Sequence, residues 1–206
     1  MKERSYEKTR IVLIVTHSRS GFTDKMANAI AEGVKEAPHV EAVIRRVNEV
    51  ALSDLAEADA IAIGSPIYLD YISGELKHLL DKTFYKFVKL VHMEKEKTNR
   101  LQGKPAAAFV SGIYKGYHLR KLQFRSTVLK NLENILFSFI GMRKVVKGIH
   151  LALRSQLWRT RSNSGDLHAE AKDITLTSEQ SLLCRNMGRK LALSTRVQSY
   201  THAFLK

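Results

Sequence analysis

The sequence predicts an α/β fold, a doubly wound five-stranded parallel sheet with helices on both faces. Three observations lead there. Short apolar runs of strand length alternate with segments of helical spacing along the chain. That order of elements implies parallel strands joined by right-handed crossovers. The strand candidates are apolar on consecutive residues, the pattern of strands covered on both faces. No internal repeat, low-complexity tract or linker interrupts the alternation, so residues 1–206 read as a single domain, long enough to bury a full core.

Ile11 to Thr16 is apolar and β-branched, a buried strand followed by a loop rich in Ser, Gly and Thr. From Asp24 to Glu36, Met26, Ile30 and Val34 stand four apart with Ala27 and Ala31 beside them, a helix stopped by Pro38. Val40 to Val47 reads as the second strand, and Ser53 as the cap of a short helix through Glu57. Ala58 to Ile63 is the third strand, ended by a turn at Gly64-Ser65-Pro66. Ser73 or Gly74 opens a helix that reaches at least Val91, and the charged stretch Glu94–Gly103 is a surface loop. Pro105 to Ser111 is the fourth strand, Leu119 to Ile140 a long helix ended by Gly141, and Val145 to Leu151 the fifth strand. Arg154 to Thr175 is a polar insertion. Thr177 and Gln180 form a capping box for a last helix with Leu183, Met187 and Leu191 on one face.

Composition excludes several classes. Cys184 is the only cysteine, so neither an internal disulfide framework nor an all-cysteine metal site can form, and it reads as a packed thiol. The eight histidines show no metal-ligand spacing, and His17 and His118 read as non-ligands. No apolar stretch approaches 18 residues and no signal-peptide pattern opens the chain, which reads as cytoplasmic. The net charge is +14, of which the stretch Lys115–Arg161 supplies +10, from 11 Lys or Arg against one acid, Glu133. That stretch is either a solvated basic face or a patch that attracts an anionic partner. No nucleic-acid recognition motif accompanies it.

In an open α/β sheet, ligands bind beyond the carboxyl ends of the strands. Three loops there are unusual. The first, Thr16-His17-Ser18-Arg19-Ser20-Gly21-Phe22-Thr23, sets hydroxyls at Ser18, Ser20 and Thr23 around Gly21, at a helix start. Backbone N–H groups at such a turn converge on an anion. The helix terminus favours negative charge by about 0.3–1 kcal/mol, and each hydroxyl adds about 1 kcal/mol. The loop lacks the lysine of a triphosphate-binding loop and the spacing of a dinucleotide fingerprint, so it suits a terminal monophosphate, or is an ordinary capped turn. The second, Gly64-Ser65-Pro66-Ile67-Tyr68, leads through Leu69 and Asp70 to Ser73-Gly74-Glu75-Leu76-Lys77; it can wall a planar ring, with Tyr68 as the stacking residue. The third, Ser111-Gly112-Ile113-Tyr114-Lys115-Gly116-Tyr117, offers small residues for close approach.

The loop at residues 18–23 resembles the phosphate loop of flavodoxins. The run Gly64–Tyr68, with Ser73–Lys77 and Leu80-Asp81-Lys82, resembles the multimeric flavodoxin-like NAD(P)H:quinone oxidoreductases and the NADPH-dependent FMN reductases. The likeness covers roughly residues 10–112. It implies the flavodoxin-like strand order 2-1-3-4-5, FMN at this sheet edge and NAD(P)H as co-substrate. By position it implies Ser18, Arg19, Ser20, Gly21, Phe22 and Thr23 around the phosphate, with Ser65, Pro66, Ile67, Tyr68, Ser111 and Gly112 along the ring. Phe22 can serve only through its backbone. Bulky Tyr114-Lys115-Gly116-Tyr117 stands where the quinone reductases have a Gly-rich loop. The single cysteine excludes the iron–sulfur branch of these proteins.

The resemblance therefore implies an enzyme that passes electrons from NAD(P)H through FMN to a quinone-like small molecule, with the chemistry supplied by the flavin and no catalytic acid or base required. The alternative is a flavodoxin-type electron carrier, a class generally shorter and acidic. The helix at 119–140 has Leu129, Leu136 and Ile140 on one side and Val128, Leu132, Ile135 and Phe139 on the other, and the helix from Ser73 continues as Phe84-Tyr85-Lys86-Phe87-Val88. Both exceed a one-sided packing, which predicts a homodimer or homotetramer. Trp158, in the insertion, reads as a loop anchor or a lid over the flavin, the anchor being favoured.

Overall fold

A computed structural model of the chain describes residues 9–96, 99–114, 119–154 and 175–203. The loop residues Lys115, Gly116, Tyr117 and His118, and most of the insertion with Trp158, lie outside the described residues. Strands β1 (Arg10–Thr16), β2 (Val40–Arg46), β3 (Ala60–Tyr68) and β5 (Pro105–Tyr114) are parallel, in the order β2-β1-β3-β5. A two-residue strand β4 (Tyr71–Ile72) folds back antiparallel on the end of β3. Two pieces, β6 (Arg143–Lys144) and β7 (Ile149–Arg154), share the outer edge of β5, both parallel to it. With the hairpin strand set aside, this is the doubly wound order that the sequence predicts.

The predicted fifth strand, Val145 to Leu151, is thus displaced and broken. Glu133 lies against the break: its carboxylate accepts from the Gly148 N–H at 3.1 Å and pairs with Lys144 Nζ at 2.8 Å, while the Val145 N–H still donates to the Ala106 carbonyl at 3.3 Å. The one acid of the basic stretch is therefore a structural strut.

Alternating strand residues feed two cores. Leu13, Val15, Ile61, Ile63, Ala106, Ala108 and Val110 face α2 (Leu52–Glu57), α3 (Gly74–Phe84) and α5 (Leu119–Asn134). Val12, Ile14, Ala60, Ala62, Ala107 and Phe109 face α1 (Phe22–Lys35) and α6 (Ser178–Ala203). Helix α1 starts two residues earlier than predicted because Gly21, at φ 81°, turns the chain into it. The cap of α2 is not Ser53: Asp54 accepts from the Ala51 N–H at 2.8 Å, so the helix opens at Leu52. Helix α3 runs on through a π-helical turn, Tyr85–Lys89, into α4 (Leu90–His92), and α5 ends in another, Ile135–Phe139. No helix among the described residues is long and apolar enough to cross a membrane.

The π turns bear on the predicted surplus of apolar surface. They rotate Phe87, Val88 and Leu136 inward, and Val128, Leu132 and Ile140 are buried with them. Phe84, Tyr85 and Phe139 remain exposed, a smaller apolar face than the sequence suggests.

Helices α1 and α6 cross at two glycines that the sequence reading missed. A Cβ at Gly33 would lie 2.0 Å from the Arg185 carbonyl oxygen, and one at Gly188 would lie 1.9 Å from that of Ile30. Bridges from Arg185 to Glu32 and from Arg189 to Glu36 flank the crossing. Exposed pairs of this kind contribute about 0–1 kcal/mol; the close backbone approach sets the packing. It also fixes the phase of α6: Cys184, Met187, Leu191 and Ala192 are buried, whereas Leu183, predicted inward, is exposed. Burial pushes the Cys184 thiol up to about 12, as expected for a packed, unreactive cysteine. At the other end of the sheet Lys104 Nζ donates to the carbonyls of Leu55 (2.7 Å) and Ala56 (2.8 Å), capping α2; desolvation lowers this lysine to about 8.

Gly188→Ala must force α1 and α6 apart. Overpacking of this sort costs about 1–3 kcal/mol, which at about 2–4 °C per kcal/mol for a chain this size lowers Tm by roughly 2–12 °C. Gly74→Ala is the control, since a Cβ there meets nothing within 4 Å. Equal melting temperatures for the two variants would contradict the crossing.

Candidate functional site

The parallel register sets Thr16 beside Gly64, Gly64 beside Phe109, and Pro66 beside Ser111. The carboxyl ends of β1, β3 and β5 therefore meet, and the three loops singled out by sequence start from one place. The first loop leaves Thr16 and turns at Gly21 into α1. The N–H groups of Ser20, Gly21, Phe22 and Thr23 find no acceptor among the described residues. Ser18 Oγ is buried with no hydrogen-bond partner. A buried hydroxyl and a helix start left unsatisfied together form a concavity rich in donors, the environment that an anion completes.

Asp24, in the first turn of α1, would oppose an anion. It is drawn toward β2 instead: Arg46 holds its carboxylate at 3.0 Å, and Thr16 Oγ1 donates to it at 3.4 Å. Phe22 is buried in the core under the loop, leaving its N–H as its contribution. Thr23 also has a partner within the protein. Its hydroxyl is buried and lies 2.8 Å from Ser111 Oγ, across from β5. Two hydroxyls hold two protons and share one between them, so one remains to donate to a bound group. The pair ties the first loop to the third.

The second loop is not a turn at Gly64-Ser65-Pro66. Strand β3 continues through these residues because Gly64 leaves room for the Phe109 ring; a Cβ at Gly64 would lie 2.1 Å from it. Ser65 is fully buried, donating to the Pro66 carbonyl at 2.7 Å and accepting from the Ser73 N–H at 2.9 Å. It thus holds the strand to the start of α3, where Ser73 Oγ accepts from the Leu76 N–H at 3.2 Å. The true turn is Leu69-Asp70, at φ 49° and 60°, which pairs Ile67 with Ile72 and Tyr68 with Tyr71. Two left-handed residues are the requirement of a type I′ hairpin, met here without glycine at a cost of about 1–2 kcal/mol per residue.

This hairpin presents Ile67 and Tyr68, both half-buried, at the strand ends. The Tyr68 ring lies edge-on to His17 at 6.2 Å, and the Arg19 guanidinium sits 5.3 Å from its centroid. Burial raises the Tyr68 phenol; the Arg19 N–H and guanidinium oppose the shift, and Glu75 adds to it. His17 Nε2 lies 3.7 Å from Glu75 Oε2 on α3 and, like Ser18 Oγ, is buried with no hydrogen-bond partner.

The twelve predicted residues therefore fall into three groups. Ser18, Ser20, Gly21 and Phe22 offer donors at the start of α1. Thr23, Ser65, Pro66, Ser111 and Gly112 are buried in the frame where the strands end, and Ile67, Tyr68 and Arg19 form its wall. Sequence reasoning missed the Ser65–Ser73 link and the His17–Glu75 contact. Neither has a local motif, because each joins segments far apart in the chain.

A donor-lined recess at the first crossover of such a sheet defines a flavodoxin-like cofactor protein. The fold of the flavodoxin, WrbA-like protein from Agrobacterium tumefaciens superposes with a TM-score of 0.60, covering 91% of this chain and 98% of that one at 18% identity. Residues 46–133 match the family described as NADPH-dependent FMN reductase. A protein of Geotalea daltonii named NAD(P)H dehydrogenase (quinone) is 31% identical over 172 residues, 71% of this chain and 74% of the relative. One of the same name from Geobacter sulfurreducens is 29% identical over 163 residues, 65% of this chain and 76% of the relative. The chain belongs to the family of these NAD(P)H dehydrogenases, and it is an NAD(P)H-dependent FMN oxidoreductase.

The Thr23–Ser111 pair yields a direct test by urea unfolding. Thr23→Val leaves the Ser111 hydroxyl buried and unpaired, an expected loss of about 1–3 kcal/mol. Adding Ser111→Ala removes the orphan and should recover most of that loss. A double variant less stable than Thr23→Val alone would contradict the pairing.

Proposed function

We propose that the protein carries electrons from NAD(P)H to a quinone-like small molecule, with FMN seated at the carboxyl ends of β1, β3 and β5. The observation that carries this reading is the unsatisfied donor set at the start of α1, Ser18 Oγ foremost, beside the Tyr68 wall. These residues fit the cofactor: Ser18, Ser20 and the N–H groups from Gly21 to Thr23 hold the phosphate, and the Thr23–Ser111 pair gives its spare proton at the same edge. Pro66, Ile67 and Tyr68 line one side of the ring, and Ser111 and Gly112 approach from β5. Arg19 stands over Tyr68 and would add positive charge at the edge of the seat.

When bound, FMN supplies the acceptance of a hydride and its return as two electrons. The chain supplies the seat, the orientation and the exclusion of water along the buried strand ends. The names of the Geobacter and Geotalea relatives support a quinone as acceptor. The strongly basic composition supports an enzyme over an acidic carrier. One domain over residues 1–206, a cytoplasmic location and a homodimer or homotetramer complete the proposal, the last supported by exposed Phe84, Tyr85 and Phe139.

Two measurements test it. Ser18→Asp sets a carboxylate against the phosphate; like charges about 4 Å apart cost about 4 kcal/mol at an effective dielectric near 20. FMN affinity should fall by about three orders of magnitude, while riboflavin, which lacks the phosphate, is affected far less. Equal losses for both ligands would remove the phosphate from this loop. In steady state, NAD(P)H and a quinone should give parallel double-reciprocal lines, because both use the same exposed ring face in turn. Absence of nicotinamide oxidation with any quinone would favour the electron carrier.

A further inference from the structure

A cleft of about 730 Å³ opens between the turn after β2 and the first turns of α3, a size typical of small-molecule sites. Its floor is apolar: Val47 and Leu79 are buried and Val50 is half-buried. Its rim is cationic. Glu75, His78, Leu79 and Lys82 follow one another at helical spacing, so α3 turns one face to the cleft. The side chains of His78 and Lys82 are exposed, and neither has a hydrogen-bond or ion-pair partner among the described residues. One acid, Glu75, also lines the cleft, at the end nearest His17, whose Nε2 is 3.7 Å away. At the mouth stand Arg19 and Tyr68, the residues that also wall the recess described above. An apolar floor, the unpartnered Lys82 ammonium with the His78 imidazole one turn before it, and continuity with the flavin wall are what an adenosine phosphate needs when its other end must reach the ring.

We propose that this cleft receives the phosphorylated adenosine end of NAD(P)H, with Lys82 and His78 at its phosphates and Val47, Val50 and Leu79 beneath the adenine. The assignment rests on the proposed electron donor and names where that donor is held. Arg19 then serves both ligands, facing the cleft on one side and Tyr68 on the other.

The test is calorimetric titration of the FMN-loaded protein with adenosine 2′,5′-bisphosphate, with adenosine as the uncharged comparison. The wild type should bind the bisphosphate more tightly than adenosine. Lys82→Glu should weaken the bisphosphate by about tenfold or more, a charge reversal at a phosphate, and raise KM for NADPH by a similar factor at unchanged kcat. Lys82→Gln should give a smaller loss of the same kind. FMN content and melting temperature should stay at wild-type values, since Lys82 is exposed and is not among the residues assigned to FMN. Absence of bisphosphate binding by the wild type would overturn the proposal. So would a Lys82→Glu affinity and KM both within about twofold of wild type. If the variant instead raised KM only for a sulfonated quinone, the cleft would be an acceptor site and the proposal would fall. Bisphosphate binding that depends on Lys82, in a protein that oxidises no nicotinamide, would uphold the cleft while refuting the proposed reaction.

Discussion

One phenyl ring lies where a side chain on the neighbouring strand would be. Phe109 is fully buried and crosses Gly64, its register partner on β3, at a spacing that no Cβ could share. Burial of a ring of this size is worth about 1.5–3 kcal/mol, yet its geometric effect is larger. Because Phe109 fills the space beside Gly64, β3 runs straight through Ser65 and Pro66, which stands level with Ser111 on β5, and ends at Tyr68. The hairpin that carries Tyr68, the Ser65–Ser73 link and the position of α3 all depend on that extension.

Around this frame the polar groups are sorted by sign. Two of the acids nearby are paired away from the start of α1, Asp24 with Arg46 and Glu133 with Lys144 and Gly148 on the outer edge, and Glu75 lies 3.7 Å from His17 Nε2. Donors at the start of α1 are left over. In the proposed reading, the helix terminus, the buried Ser18 Oγ and the exposed Arg19 at the rim act together on the phosphate. FMN binding and turnover thus draw on one arrangement: the protein fixes the cofactor, and the cofactor supplies the redox chemistry.

Much of the fold was legible because the two periodicities are unambiguous in this chain. Ile11–Thr16, Pro105–Ser111 and the four-residue spacing from Met26 to Val34 each allow one reading. The site was legible as three loops, since strand order puts their starting points together. What escaped were the effects of tertiary contact. Gly64-Ser65-Pro66 has the composition of a turn, and only the Phe109 ring across the sheet makes it strand. Leu69-Asp70 forms the turn with neither glycine nor asparagine to announce it. Gly33 and Gly188 look like weak helix residues until the two helices are seen to touch backbone to backbone. Leu183 and Cys184 could exchange roles by a rotation of one residue, which the glycine contact decides. The Thr23 hydroxyl reads in sequence as a phosphate contact, and nothing local shows that it also meets Ser111, 88 residues away.

A crystal structure of the protein with FMN tests the central claim most directly. The account predicts phosphate oxygens within hydrogen-bond distance, about 2.7–3.2 Å, of Ser18 Oγ and of the N–H groups at the start of α1, with the ring lying against Tyr68 and its edge toward Ser111 and Gly112. A phosphate seated away from Ser18, or a ring that makes no contact with the β3 hairpin, would contradict it.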